Sequence, residues 1–128
     1  MKPRSAGHLH VRRQDPRALR HWGLPMTELK TYSTFSEFYP FYLSEHQNRT
    51  SRRLHFVGTS VAAALLVLTL VTQNWWLALV ALLQGYAFAW VGHFFFEHNK
   101  PATFQYPRLS FIGDWRMWWE ILTGKIRF

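Results

Sequence analysis

A long stretch without charged side chains occupies the middle of the chain. From Leu54 to Phe96 the sequence contains no Asp, Glu, Lys or Arg. One helix needs about 20 residues to cross the roughly 30 Å hydrocarbon core of a bilayer, so this stretch is too long for one span and suits two. Its most polar part, Thr72-Gln73-Asn74, marks the turn between them. The pattern predicts a two-span transmembrane helical hairpin, with spans at about 54–72 and 75–96.

The two spans lack the polar stripe that a soluble helix shows. In segment 61–71, VAAALLVLTLV, polar positions do not recur at the 3.6-residue period. Trp75 and Trp76 stand at the turn, where aromatic side chains collect at a membrane interface. A buried hairpin inside a soluble protein is the alternative, and this pattern disfavours it.

Basic residues flank the hairpin at one end only. Arg49, Arg52 and Arg53 precede the first span, Lys100 and Arg108 follow the second, and the turn carries none. The positive-inside rule therefore places both chain ends in the cytoplasm. We expect a multi-pass protein of a bacterial inner membrane.

The segment before the hairpin is rich in aromatic residues. Residues 33–45 read STFSEFYPFYLSE, and Pro40 interrupts any long helix there. We expect a short helix at the membrane interface, with its aromatic side chains toward lipid. The alternative is that they wall an acyl-chain pocket.

A second short helix is expected after the hairpin. Residues 103–113 predict an irregular link, and residues 114–123 predict a helix capped by Asp114 and stopped by Gly124. Its tryptophans recur at three- and four-residue steps, as in a helix that lies on a membrane or packs under the hairpin. The predicted fold is therefore an all-α integral membrane protein, in which interfacial amphipathic helices flank the hairpin.

Charge and composition narrow the classes of function. The chain has 128 residues and a net charge of +8, and it contains no cysteine, which excludes a disulfide framework and a thiolate metal site. Residues 1–25 are basic but show no helical or aromatic pattern, so we expect a disordered extension and no nucleic-acid binding. Residues 26–128 form the predicted single helical membrane domain.

The hairpin would bring distant histidines together. His55 begins the first span and His93 lies near the end of the second, so the two reach a similar depth. His46 precedes His55 by nine residues, and the polar residues between them favour a bend. Glu97 follows His93 by four residues and shares its helical face, whereas His98 points away and is a reserve candidate.

Three imidazoles and one carboxylate suit a divalent transition metal. Two histidines and a carboxylate favour Fe(II) and oxygen chemistry, whereas three histidines with an open position suit Zn(II) equally well. Spacing leaves both open. Glu97 and Glu120 are the candidate catalytic carboxylates, and Arg49, Arg52 and Arg53 are candidates for binding a substrate carboxylate.

Several of these residues also match a known family. Tyr42-Leu-Ser-Glu-His46, the step to His55, Gly92-His93-Phe-Phe-Phe-Glu97 and Lys100-Pro101-Ala102 resemble the family of domain of unknown function 962. The resemblance extends roughly from Leu29 to Ile126. It implies a membrane protein that uses Fe(II) and O2 to shorten a 2-hydroxy fatty acid by one carbon, the reaction called α-oxidation.

The resemblance also assigns roles to individual residues. It implies that His46, His55 and His93 bind iron, places Glu97 on the glutamate of the family, and places Glu120 near its second acidic position. We therefore predict an Fe(II)-dependent membrane dioxygenase acting on 2-hydroxy fatty acids or related lipids. The alternatives are a non-enzymatic membrane scaffold and a zinc-dependent lipid hydrolase. The oligomeric state is left open.

Overall fold

A hairpin of two long helices forms the centre of the structure, a computed structural model that describes residues 31–128. Helix α1 spans Phe35–Ser44, α2 Arg49–Thr72, α3 Trp76–Val91 and α4 Pro107–Leu122. Helix α3 continues as a π-helix over Gly92–Glu97, and a 3-10 turn follows at Ala102–Phe104. Residues 31–128 contain no strand, so the all-helical prediction is confirmed for them. The predicted extension at residues 1–25 lies outside the described residues.

The hairpin turns where the polar stretch predicted it. Helix α2 ends at Thr72, and Gln73 takes the left-handed conformation with φ 57°. The two apolar segments, Arg49–Thr72 and Trp76–Glu97, are long and apolar enough to cross a membrane. Only 22% of the most apolar window of each is buried, whereas the core helix of a soluble protein is mostly buried. The outer faces of the hairpin are therefore left apolar and uncovered.

Helix α1 differs from its prediction in two respects. It runs through Pro40 without interruption, and it is capped by Thr34, whose hydroxyl accepts a hydrogen bond from the Glu37 amide. Phe38 and Tyr42, four residues apart on one face, are fully buried and form a cluster with Met117 and Ile121 of α4. The prediction that the aromatic residues face lipid is wrong for these two, because α4 covers their side of the helix.

Helix α4 begins seven residues earlier than predicted. Pro107 occupies the start of the helix, where its missing N–H costs nothing, so it opens α4 instead of belonging to an irregular link. Asp114 lies inside the helix and is not its cap. Gly113 packs against the Tyr42 ring: a Cβ at this position would lie 2.9 Å from a ring carbon. Helix α4 thus bridges α1 and the hairpin, to which Trp118 Nε1 donates a hydrogen bond at Ser60 Oγ, 2.9 Å.

The close approach of α2 to α3 depends on Gly58. A Cβ at Gly58 would lie 2.8 Å from Phe88 Cβ, while a Cβ at Gly85 would meet nothing within 4 Å. Alanine favours a helix over glycine by roughly 1 kcal/mol, and overpacking costs about 1–3 kcal/mol. We expect Gly85→Ala to hold or raise the unfolding midpoint of the protein in detergent, and Gly58→Ala to lower it. Equal shifts for the two variants would contradict this packing.

Candidate metal centre

Three buried imidazoles meet at the end of the hairpin opposite the turn. His46 follows α1, His55 lies in the second turn of α2, and His93 lies in the π-helical end of α3; their exposed fractions are 2%, 4% and 3%. One ligand atom from each ring lies within 4.8 Å of the other two. The Nε2 atoms of His46 and His55 are 3.2 Å apart. The structure therefore places the three predicted ligands within reach of one ion.

The outer nitrogen of each ring faces a hydrogen-bond acceptor. His46 Nδ1 lies 2.6 Å from the Tyr42 carbonyl oxygen, and His93 Nδ1 lies 2.7 Å from Asn99 Oδ1. His55 Nδ1 lies 3.5 Å from Asp114 Oδ1. Because all three partners accept hydrogen bonds, they favour the tautomer with the proton on Nδ1, which leaves Nε2 of each ring as the metal ligand.

The Asn99 amide is fixed by its other contacts. Its Nδ2 donates to the Glu45 carbonyl at 3.0 Å and to Glu45 Oε2 at 2.7 Å. Its Oδ1 must then face His93, so His93 Nδ1 is the hydrogen-bond donor of this pair. Asp114 is held similarly, because the Tyr42 hydroxyl donates a hydrogen bond to Asp114 Oδ1. Burial, followed by the Asp114 charge, raises the pKa of Tyr42 well above its usual value, so this hydroxyl stays protonated.

The electrostatics around His46 favour a neutral ring. Burial lowers the pKa of His46 well below its usual value, and positive charge at His55 or His93 would lower it further. His46 Nε2 and His55 Nε2 lie 3.2 Å apart, so they either share one proton in a hydrogen bond or together offer two lone pairs to a metal ion. Neutral imidazole is also the form that ligates a metal. The donor set therefore fits a divalent metal, and imidazole suits iron, zinc, copper and nickel alike.

The π-helix sets the position of His93. Its wider turn runs from Gly92 to Glu97, and it ends where the amides of His98 and Asn99 both donate to the His93 carbonyl. His98 takes the left-handed conformation with φ 55° and is exposed, outside the imidazole group. Such π-segments occur frequently at functional sites. Gly92 allows the segment to approach α2, since a Cβ there would lie 2.9 Å from Ser51 Oγ.

In the structure, Glu97 makes a different contact from the one with the His93 side that its spacing predicted. Glu97 Oε1 accepts a hydrogen bond of 2.8 Å from the backbone amide of Asn48, the residue that caps α2. Among the described residues, the group able to hold a metal contains three histidines and no carboxylate. Glu97 therefore ties the start of α2 to the end of α3, and its predicted catalytic role stays a prediction.

Glu120 is buried, but it lies in the contact between α1 and α4. It accepts hydrogen bonds from the Tyr39 hydroxyl at 2.9 Å and from Arg116 Nε at 2.7 Å. Burial and the bond to Glu120 raise the pKa of Tyr39. Nothing in these contacts joins Glu120 to the imidazole group, so a catalytic role for it also stays a prediction.

The three predicted substrate-binding arginines all contact the protein itself. Arg52 Nη1 donates to the carbonyls of His46 and Gln47, at 3.2 and 3.0 Å, and holds the link between α1 and α2. Arg49 Nε donates to the Phe128 carbonyl at 2.8 Å, and the Arg53 guanidinium stacks over the Phe128 ring. Arg52 is thus the one whose contacts lie beside the imidazole group.

Sequence reasoning missed the partners that orient the rings. It treated Asp114 as a helix cap, and it gave Asn99, Tyr42 and Glu45 no part in the site. Tyr42 precedes His46 by four residues, a spacing at which a helix carbonyl can reach a following side chain, so that signal was present. Asp114 could be found only by knowing where α4 crosses α2.

A cavity of about 240 Å³ opens from one side of this group. His55 and Asp114 line its polar end, and the rest of its wall is mostly aliphatic and aromatic side chains of α2, α3 and α4. An apolar cavity that begins at a candidate metal centre suits a ligand with a polar head and a long apolar tail.

Comparison with known proteins identifies the family. Residues 32–126 match the family described as 2-hydroxy-palmitic acid dioxygenase Mpo1-like. The matched region includes His46, His55 and His93 as well as Asn99 and Asp114. No curated protein and no solved structure matches the chain.

Metal binding should require each of the three imidazoles. We expect the purified protein to bind one Co²⁺ ion, used as a probe. Loss of a residue that only hydrogen-bonds to a metal ligand weakens metal binding roughly 10–100-fold. Loss of a ligand itself should weaken it more, so we expect a larger fall in Co²⁺ affinity in each of the variants His46→Ala, His55→Ala and His93→Ala. Isothermal titration calorimetry measures this. His98→Asn is the matched control, because asparagine tolerates the left-handed conformation. Equal loss in the control, or none in the three variants, would contradict the site.

Asn99 should act on affinity through His93. Asn99→Ala removes the acceptor that orients the His93 ring, so we expect Co²⁺ affinity to fall roughly 10–100-fold while the stoichiometry stays the same. Gln105→Ala, at an exposed amide nearby in sequence, serves as the control. An Asn99 variant with unchanged affinity would show that the hydrogen bond to Nδ1 has no part in the site.

Proposed function

Because the chain belongs to the Mpo1-like family of 2-hydroxy-palmitic acid dioxygenases, we propose that it is an Fe(II)-dependent dioxygenase of 2-hydroxy fatty acids. The observation that carries this proposal is the group of three buried imidazoles, each with one ligand atom within 4.8 Å of those of the other two. A dioxygenase needs a metal that exchanges electrons with O2, and zinc has no redox chemistry. Iron is therefore the metal we propose for this site.

His46, His55 and His93 would hold the iron. Bound Fe(II) would supply electrons to O2 and open positions for the substrate. The chain itself supplies orientation: the Tyr42 carbonyl, Asp114 and Asn99 hold the three Nδ1 protons outward. Burial keeps bulk water away from the rings.

The polar head of the substrate has two candidate partners in the protein. Asp114 lines the cavity, and a carboxylate can accept several hydrogen bonds, so Asp114 can accept one from a 2-hydroxyl while it holds Tyr42. Arg52 lies close enough to lower the pKa of His46 through its charge, and the same charge attracts a substrate carboxylate. Arg52 is thus the arginine that we propose for substrate binding.

We place the hairpin across a membrane. Its two helices are long and apolar enough to span one, and their outer faces are uncovered. The imidazole group lies at the end that carries the flanking arginines, which the positive-inside rule assigns to the cytoplasmic face. A fatty acid could then enter laterally, with its head at the interface and its tail still in the apolar layer.

The proposal predicts oxygen-dependent shortening of 2-hydroxy-palmitic acid. Protein loaded anaerobically with Fe²⁺ in detergent should, on exposure to O2, consume oxygen and form an acid one carbon shorter, as mass spectrometry would detect. We expect turnover to fall to background in the three single His→Ala variants and in zinc-loaded protein, and to persist in His98→Asn.

The alternatives give different results in the same assay. A zinc-loaded protein that cleaves lipid esters without O2 would favour the hydrolase. A folded protein that retains no metal would favour the scaffold. Either result would overturn the dioxygenase.

A further inference from the structure

The cavity beside His55 continues as a groove along the hairpin. Its wall on α2 consists of His55, Thr59, Ala62 and Leu66, spaced by four, three and four residues along one face of the helix. The groove therefore begins at a candidate metal ligand and runs toward the turn. Its direction is that of the helix axis.

The opposite wall is built from small residues of α3. Ala78, Ala81, Gly85 and Ala89 line it, again along one face. Because α2 and α3 are antiparallel, Ala89 lies toward the His55 end and Ala78 toward the Leu66 end. Nothing lies within 4 Å of a Cβ built at Gly85, so the groove is open at its middle.

The two ends of the groove differ. Helix α4 contributes Phe111, Asp114 and Trp115, which cover the end near His55. Toward the far end, Leu66 and Leu82, which lies one turn short of Ala78, are 39% and 46% exposed. Among the described residues, nothing closes the groove there.

The length of the groove can be compared with that of an acyl chain. Eleven residues separate His55 from Leu66, which is about 16 Å at roughly 1.5 Å per residue. An extended hydrocarbon advances about 1.25 Å per carbon, given C–C bonds of about 1.52 Å and angles near 111°. The groove therefore covers a tail of about 13 carbons, close to that of the 2-hydroxy-palmitic acid named for the family.

We propose that this groove binds the acyl tail and acts as an open-ended ruler, a site that senses the length of the tail but does not limit it. Gly85 leaves room for the tail to pass, and the tail of a longer acid extends out of the groove past Leu66 and Leu82. The inference rests on the proposed function. It adds that the protein selects for a minimum tail length and imposes no maximum. A closed tunnel would impose both.

Turnover with a series of chain lengths tests the ruler. Gly85 lies about 6 Å beyond Ala89, so a large side chain there should stop a tail after about five carbons. We expect Gly85→Phe to lower the ratio of kcat/KM for 2-hydroxy-palmitic acid to that for 2-hydroxyhexanoic acid at least tenfold. Leu83→Phe, which places the same phenyl ring on the exposed outer face, should leave the ratio unchanged.

Longer acids test the open end. In wild-type protein, kcat/KM should be level between 2-hydroxy-palmitic acid and 2-hydroxy acids eight carbons longer. A steep fall would show a closed end and overturn the ruler. An unchanged ratio in Gly85→Phe would overturn the path of the tail while leaving the dioxygenase intact.

A binding measurement separates the groove from the chemistry. A fatty acid brominated in mid-chain should quench the fluorescence of Trp115, isolated by subtracting the signal of Trp115→Phe, in protein without metal. We expect this quenching in wild type and Leu83→Phe and its loss in Gly85→Phe. Absence of Trp115 quenching in wild type overturns the groove even if turnover is found. Its presence without any turnover supports the groove and counts against the dioxygenase.

Discussion

Three imidazole lone pairs that converge in a buried space are the constraint on which the structure depends. His46 and His55 present Nε2 to each other at 3.2 Å, and His93 completes the group. A buried nitrogen lone pair needs a partner, and leaving one without a partner costs about 1–3 kcal/mol. A divalent cation removes that cost. The fold can therefore be understood as a scaffold that holds three rings apart from solvent and ready for a metal.

Tyr42 links the packing of the fold to the geometry of this site. Its ring lies against Gly113, its carbonyl orients His46, and its hydroxyl holds Asp114, which in turn faces His55. Helices α1 and α4 therefore position two of the three rings through a single residue. The hairpin supplies the third ring together with an apolar groove that starts at the same place. Metal, polar head and acyl tail would thus share one end of the hairpin.

The sequence predicted which distant residues meet where a single pattern, the long uncharged stretch, determined how the chain folds back. The uncharged stretch predicted the hairpin and its turn, and the fold-back alone brought His55 and His93 to one end. It failed where tertiary contacts decide the role of a residue. Pro107 opens a helix instead of breaking one, so Asp114 faces α2 instead of capping α4. The π-helix changes the register after His93, and Glu97 turns to the α2 cap, which α-helical spacing could not show.

The central claim is that three imidazoles bind one iron. X-ray absorption at the iron K-edge of protein loaded anaerobically with Fe²⁺ counts these ligands directly, because imidazole rings scatter in a characteristic way. We expect three imidazole nitrogens at about 2.0–2.2 Å, by analogy with other metal–imidazole bonds, and weaker oxygen ligands in the open positions. A spectrum with one imidazole or none, or with carboxylate oxygens alone, would contradict the account.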